Sequence, residues 1–141
     1  VVRGNCSLVT GIAGISENIH INGIIDRYLE HSRIFIFANG GEEKYYIGSA
    51  DWMPRNLDNR IEVLAPVYDK EIQADLKRIV CYGYRDTAKG RIVDGTGENR
   101  PWENRPSTLC KDFTPALAEA ETATVVFRSQ EELYRKYKNT L

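Results

Sequence analysis

The chain has 141 residues, of which 42% are hydrophobic and 28% charged, and its formal net charge is -1. This length suits one domain with a real core and is short for two. No apolar run approaches the roughly 18 residues that a membrane span needs, and no basic segment followed by an apolar stretch opens the chain as a secretory signal would. A net charge near zero excludes the global positive field of many nucleic-acid-binding proteins, so any anion site must be local.

The cysteine pattern bears on the redox environment. Cys6, Cys81 and Cys110 are odd in number and widely spaced, without a C-x-x-C pair or a histidine cluster beside them. This pattern argues against both a disulfide framework and a zinc site. We therefore expect buried thiols in a cytoplasmic protein and no metal site. Residues 1–4 resemble the middle of a strand, which indicates a boundary inside a longer protein.

Hydrophobic periodicity predicts mostly β-structure in the first part of the chain. Residues 1–9 are rich in β-branched residues and end at a Thr-Gly turn, which is typical of a strand. Apolar and polar residues alternate over 19–25, which predicts a second strand, and residues 26–30 are expected to form one helical turn.

A β-hairpin is the clearest local prediction. Strand residues 33–37 are followed by the turn-forming residues 39–41 and by a returning strand over 44–48. A further strand is predicted over 60–67. It ends at Pro66, which cannot donate to a central ladder.

The second half is predicted to be helical with a long loop. Residues 69–82 form an amphipathic helix behind an acidic first turn, with apolar residues at helical spacing: Ile72, Leu76, Ile79 and Val80. Glycines and prolines over 88–112 predict a surface loop. Residues 125–127 are expected to add a short edge strand, and Ser129 is expected to be the N-cap of a final helix.

Chemistry-bearing residues gather around the hairpin. In an extended strand, His31 and Arg33 point to the same face, near the end of the paired strand at Ser49, and Asp51 follows two residues later. An imidazole, a guanidinium, a hydroxyl and a carboxylate suit phosphoryl transfer, where charged oxygens must be positioned and developing charge absorbed. Arg33 offers bidentate donors to phosphate. The phosphate-binding set is assigned to His31, Arg33, Ser49, Asp51, Arg55 and Asn56.

Several residues could have either a structural role or a functional one. Arg3 is either a surface charge on an edge strand or a phosphate ligand, and spacing alone leaves both readings open. Arg27, Arg55 and Arg60 can each be solvated surface charges, with Asp58 and Glu62 as salt-bridge partners. This interpretation is favoured for Arg60. Packing of the catalytic loop is favoured over base stacking for Trp52 and Met53.

At this point the sequence resembles a known family. The blocks that carry the likeness are Val2-Arg3-Gly4, Ser16-Glu17-Asn18-Ile19, Arg27, Leu29-Glu30-His31-Ser32-Arg33-Ile34, Asn39-Gly40-Gly41-Glu42-Glu43 and Ile47 to Asp58. They are similar to the last catalytic domain of the bacterial, ATP-linked polyphosphate kinases. The likeness runs to about Arg91, and departures from the family pattern, at Ala13, at Asp26 and over 85–90, leave these blocks intact.

The resemblance implies a single phospholipase-D-like α/β/α domain, with a mixed sheet flanked by helices. Residues 1–91 would be its catalytic core and residues 92–141 a loop and helix extension. Enzymes of this family reversibly transfer the terminal phosphate of ATP to polyphosphate, and their phosphorylated histidine lies in the other domain of a tandem pair. The family's nucleotide-binding arginine and second essential histidine fall on Arg3 and His31. His31 would therefore be catalytic and bind phosphate.

The resemblance also implies cofactors and partners. ATP, ADP and polyphosphate would be substrates, and Mg²⁺ would be held by ligands outside this chain. The upstream domains of the same polypeptide and a homo-oligomer are expected, without nucleic acid. The expected location is the cytoplasm, with a peripheral place at the inner membrane left open.

Two other functions compete. Phospholipase-D-type hydrolases share a histidine two residues before a cation and a Gly-Ser turn, but typically have Lys where this chain has Arg33 and Asn where it has Asp51. The other alternative is a non-catalytic polyanion-binding module.

Overall fold

The computed structural model describes residues 1–3, 6–103, 110 and 126–138. These residues form a mixed α/β fold with antiparallel sheets and helices. The chain divides into two compact units. The first comprises Val1–Leu29 and Ile79–Leu141, and the second comprises Glu30–Arg78.

A two-stranded antiparallel sheet lies in the first unit. It pairs β1 (Asn22–Ile24) with β5 (Gly90–Ile92). Val2 adds a single parallel bridge to β1. The strand predicted over 19–25 is thus confirmed in shorter form. The loop predicted over 88–112 is wrong at β5, because pairing with a strand almost 70 residues away leaves no local signal.

Some predicted elements do not form. Within the described residues, the strand predicted over 1–9 is reduced to the Val2 bridge, since Leu8 and Val9 are exposed and have no strand beside them. The helical turn predicted for 26–30 is absent. Of the edge strand predicted over 125–127, Val125 lies outside the described residues and the other two positions are not in a strand.

A buried asparagine connects β1 to the end of helix α2 (Lys70–Tyr84). The Asn22 side chain donates to the carbonyl oxygens of Gly83 at 3.0 Å and Tyr84 at 3.3 Å. These carbonyls belong to the last turn of α2, beyond which the regular helical hydrogen bonds end, and the Gly83 oxygen also accepts the Asp86 backbone N–H at 3.3 Å. The Asn22 amide therefore acts as a C-terminal cap supplied by another element.

The core of the first unit contains a disulfide. Cys81 in α2 is joined to Cys110, with their Cα atoms 5.5 Å apart, and both are buried. The prediction of buried thiols is therefore wrong for these two residues, because the fold returns the chain to α2 over a separation that the spacing did not reveal. Cys6 is free. Trp102 packs edge-on against Tyr84 beside them.

Helix α3 (Ser129–Tyr137) is anchored by carboxylates from other elements. Asp86 Oδ2 accepts hydrogen bonds from the Ser129 backbone N–H at 2.8 Å and the Ser129 hydroxyl at 2.7 Å. Asp26 pairs with Arg128 at 2.6 Å. The final helix is confirmed, but the prediction that Ser129 caps it is wrong: the cap position is Arg128, and the Ser129 hydroxyl bonds to Asp86 instead.

The second unit contains a three-stranded antiparallel sheet in the order β2 (Ile34–Phe37), β3 (Lys44–Gly48) and β4 (Leu64–Val67). The predicted hairpin is confirmed. Its turn is a short 3-10 helix, Asn39–Gly41, in which all three residues have positive φ, as the Asn-Gly-Gly sequence favours. The strand predicted over 60–67 is shortened to β4. It is an edge strand, where a proline is tolerated.

Two helices follow from local sequence. The helix predicted over 69–82 is confirmed as α2, and Asp69 Oδ1 accepts the backbone N–H groups of Glu71 and Ile72 as its N-cap. A single turn, α1 (Pro54–Leu57), begins at a proline, which suits a first helical position. Helix α1 was not predicted from the sequence.

Candidate functional site

The start of the hairpin holds the residues of the candidate site. The backbone N–H of Gly48 donates to the Arg33 carbonyl at 3.0 Å, which extends the β2–β3 pairing by one residue. Extended backbone at this point sets His31 and Arg33 on one side, because alternate residues share a face. The two side chains converge, as the spacing predicted.

Arg33 contacts both of its predicted neighbours. Its Nε donates to Asp51 Oδ1 at 2.9 Å. Its terminal nitrogens lie against the His31 ring, with Nη2 at 3.1 Å from Nε2 and Nη1 at 3.5 Å from Nδ1. Nη1 also donates to the His31 carbonyl at 3.3 Å. We call His31, Arg33 and Asp51 the guanidinium cluster.

Charge in this cluster is arranged around Arg33. The hydrogen bond from Arg33 holds the pKa of Asp51 below its usual value, and the charges of Arg33, His31 and Arg55 act in the same direction. Asp51 is therefore an anion at neutral pH that orients the guanidinium. The roles of the two His31 ring nitrogens towards the guanidinium depend on the tautomer of the ring.

A second carboxylate fixes the loop after β3. Glu62 accepts one hydrogen bond from the Ser49 hydroxyl and another from Asn56 Nδ2 at 2.8 Å. Ser49 Oγ in turn accepts from the Val63 backbone N–H at 3.0 Å. These bonds hold the Glu62 pKa below its usual value, and Ser49 is the largest cause. We call Ser49, Asn56 and Glu62 the loop clamp.

Glu62 is the residue that sequence reasoning missed. It was assigned only a surface pairing with Arg60, whereas the structure connects it to two residues of the predicted site. The contact between Glu62 and Ser49 could have been predicted if the antiparallel pairing of β3 and β4 had been known. Gly48 lies opposite Leu64, so the chain just before β4 must pass the residues just after β3.

We expect the loop clamp to fail in acid. Because the folded pKa of Glu62 lies below the ordinary 4.5, its stabilisation is present above pH 4.5 and is lost as pH falls through the folded value. At pH 7, Glu62→Ala should lower the melting temperature by a few degrees, and the gap from wild type should close towards pH 3. Thermal unfolding at several pH values measures this gap. Glu17→Ala, at an exposed position, is the control. A gap that does not change with pH would contradict the assignment.

The other predicted site residues have different placements. Asn56 is buried in α1, whereas Arg55 is exposed in the same turn and acts on Asp51 through charge. Arg3 belongs to the first unit, where it is exposed. Trp52 stacks on Phe35, with ring centroids 5.8 Å apart, and is 76% exposed. Packing inside the unit thus covers only a small part of Trp52.

Within the described ranges, no group of three metal-ligating side chains lies close enough together to hold a metal ion. The same part of the chain contains no helix with the length and apolarity that a membrane crossing requires. Arg33 presents guanidinium donors beside the exposed His31 imidazole. The loop that carries Asp51 is fixed by the hydrogen bonds of Ser49 and Asn56 to Glu62.

Comparison with known proteins identifies the family. The model of the polyphosphate kinase C-terminal domain 2 matches residues 1–111. The chain belongs to this family. It is 48% identical over 127 residues to a polyphosphate kinase of Escherichia coli strain K12, a match that covers 86% of this chain and 18% of the relative. It is 42% identical over 125 residues to that of Thermosynechococcus vestitus, covering 88% of this chain and 15% of the relative.

A solved structure supports the same family assignment. The crystal structure of polyphosphate kinase from Porphyromonas gingivalis superimposes with a TM-score of 0.74 at 35% identity, covering 97% of this chain and 18% of that one. The chain thus spans less than a fifth of the length of these polyphosphate kinases. The predicted family membership is confirmed.

Proposed function

We propose that this chain is the second phospholipase-D-like catalytic domain of a polyphosphate kinase, with an α/β/α fold completed by other parts of that enzyme. In this proposal residues 1–91 are the catalytic core and residues 92–141 its extension. The enzyme would reversibly transfer the terminal phosphate of ATP to polyphosphate. Family membership and the guanidinium cluster support the proposal.

One observation carries the functional argument: Asp51 and the His31 ring flank the same guanidinium. Asp51 binds Nε, so both terminal nitrogens of Arg33 lie on the side towards the imidazole. A phosphate oxygen that displaces the ring from these nitrogens would meet two parallel donors, the geometry in which guanidinium binds phosphate best. The released imidazole could then donate to the same phosphate or exchange a proton with it.

In the proposed reaction the bond between the γ-phosphorus and its bridging oxygen breaks, and ADP leaves with that oxygen. The phosphoryl group passes to a histidine of the other catalytic domain and then to the terminal oxygen of polyphosphate. His31 and Arg33 would bind the phosphate oxygens and absorb developing negative charge, the main requirement of phosphoryl transfer. Arg3 would bind ATP phosphate, and Arg55 would add local positive charge.

The remaining assignments follow from the same proposal. Ser49 and Asn56 would keep the Asp51 loop in place through Glu62, and their direct contact with phosphate stays a prediction. Magnesium would neutralise phosphate charge when bound, with ligands outside this chain, and no step here is assigned to it. Upstream domains, a homo-oligomer and a cytoplasmic location, with peripheral attachment to the inner membrane left open, also belong to the proposal.

The phospholipase-D-type hydrolase is the second candidate. An asparagine at position 51 and a lysine at position 33, as in those hydrolases, could not form the ion pair seen between Arg33 and Asp51. This pair therefore favours the kinase. A module that only binds polyanions is the third candidate. Such a module would bind polyphosphate without catalysing its formation.

Product analysis separates these functions. The full polypeptide is incubated with γ-labelled ATP and Mg²⁺, and the labelled product is sized by electrophoresis. Acid-labile chains of many phosphates are the expected product. Hydrolysis of a phosphodiester substrate without chain formation would reject the kinase in favour of the hydrolase, and binding of polyphosphate without turnover would favour the binding module.

A further inference from the structure

One face of the three-stranded sheet in the second unit is apolar and open. The register places Phe35, Tyr46 and Pro66 in one row and Phe37 beside them on the same face. Trp52 folds onto Phe35, and Phe37 meets Tyr46 edge-on with centroids 5.8 Å apart. We call Phe35, Phe37, Tyr46, Trp52, Leu64 and Pro66 the aromatic face.

The aromatic face differs from the opposite face of the same sheet. On the opposite face, Tyr45 is only 5% exposed and Ile47 is 44% exposed. The Tyr45 hydroxyl bonds to Glu43, which pairs with Lys77 of α2 at 3.0 Å. On the aromatic face Phe37 is 50% exposed, Leu64 53% and Trp52 76%. A sheet whose second face carries this many apolar side chains normally packs them against another layer.

Further apolar side chains are exposed between β3 and β4. Met53, Leu57 at the end of α1, and Ile61 are exposed, and Ile61 is fully so. An exposed apolar patch such as the aromatic face marks an interaction site, whereas one stacked base would cover only a ring or two. The extent of the surface therefore favours a polypeptide partner over a nucleobase.

We propose that an apolar segment from the remainder of the polyphosphate kinase polypeptide covers the aromatic face. The polyphosphate kinases that match this chain are about five times its length, so a partner in the same polypeptide is available in every copy. The aromatic face also continues from Arg33, two residues before Phe35 and on the same side of β2. The segment that covers it would therefore reach the edge of the guanidinium cluster and could close that edge to water.

Oxidative footprinting tests this interface residue by residue. Hydroxyl-radical modification of side chains is measured by mass spectrometry in the 141-residue chain alone and in the full polypeptide that contains it. We expect modification of Trp52, Phe37 and Tyr46 to fall about fivefold or more in the full polypeptide, since interface cores exclude water. Tyr68, which is 81% exposed and outside the aromatic face, should change little.

A charge placed on the aromatic face provides a second arm. In the full polypeptide, Leu64→Lys should restore modification of Trp52, because the covering segment cannot bury an unpaired ammonium. Ile15→Lys, at a more exposed position in the first unit, should leave Trp52 protected. The wild-type comparison decides the proposal even where Leu64→Lys fails to fold.

Three outcomes would overturn the proposal. Equal modification of Trp52 in the short chain and in the full polypeptide would show that nothing covers the face. Protection in the short chain that grows with its concentration would assign the face to a second copy. Protection that appears only with ATP would assign it to a nucleobase. The proposal rests on the chain being part of a polyphosphate kinase, but footprints do not require turnover, so a failure of the proposed ATP transfer is seen separately.

Discussion

His31→Ala in the full polypeptide is expected to lower the rate of polyphosphate formation from ATP by about 10²- to 10⁴-fold, the range typical for loss of an acid–base group. The expectation follows from the position of the ring, which lies 3.1 Å from Arg33 Nη2 on an exposed surface. The measurement is transfer of labelled phosphate at saturating ATP. His20→Ala is the control, because His20 is the other histidine of these 141 residues and lies in the first unit.

Arginine variants separate charge from geometry at the same site. Arg33→Lys keeps the positive charge but loses the planar pair of donors that can bind phosphate while Nε holds Asp51. Its rate should therefore lie between wild type and Arg33→Ala. Arg78→Ala removes an arginine of α2 that pairs with Asp75 and should leave the rate unchanged. Full activity in both His31→Ala and Arg33→Ala would refute the site.

Asp86→Ala is expected to destabilise the first unit by roughly 3 to 5 kcal/mol, since it leaves buried donors without an acceptor. Asp86 is fully buried, and its carboxylate accepts from Lys89 N at 2.7 Å as well as from the Ser129 N–H and hydroxyl. Its loss removes the bonds that hold the start of α3. Urea unfolding followed by circular dichroism measures the change.

Two further variants make this test specific. Asp86→Asn keeps one acceptor oxygen and should fall between wild type and Asp86→Ala. Asp75→Ala removes an exposed carboxylate that pairs with Arg78 and should cost less than about 1 kcal/mol. An Asp86→Ala variant as stable as Asp75→Ala would show that the Ser129 contacts do not anchor α3.

Local patterns were sufficient for the parts of the fold that depend on neighbouring residues. The hairpin follows from strand alternation on both sides of Asn39-Gly40-Gly41, and α2 follows from its apolar spacing and the Asp69 cap. The convergence of His31 and Arg33 needed only the two-residue period of a strand. These features contain their own signal, because the contacts that define them lie within a few positions in sequence.

Long-range contacts account for what the sequence did not reveal. The pairing of β1 with β5 joins residues about 70 positions apart, and Asp86 caps α3 from 43 positions away. The disulfide between Cys81 and Cys110 depends on where a long segment returns to α2. Glu62 was missed for a related reason, since its link to Ser49 appears only when β3 and β4 are paired.

The most direct test of the account is a titration of the 141-residue chain with tripolyphosphate, followed by nuclear magnetic resonance of ¹⁵N-labelled histidine rings. With only two histidines in the chain, each ring gives its own signals. We expect the His31 signals to shift while those of His20 stay in place, with an effect that weakens as salt is added and disappears in Arg33→Ala. Tripolyphosphate that binds without moving the His31 signals, or that moves them equally in Arg33→Ala, would contradict the account.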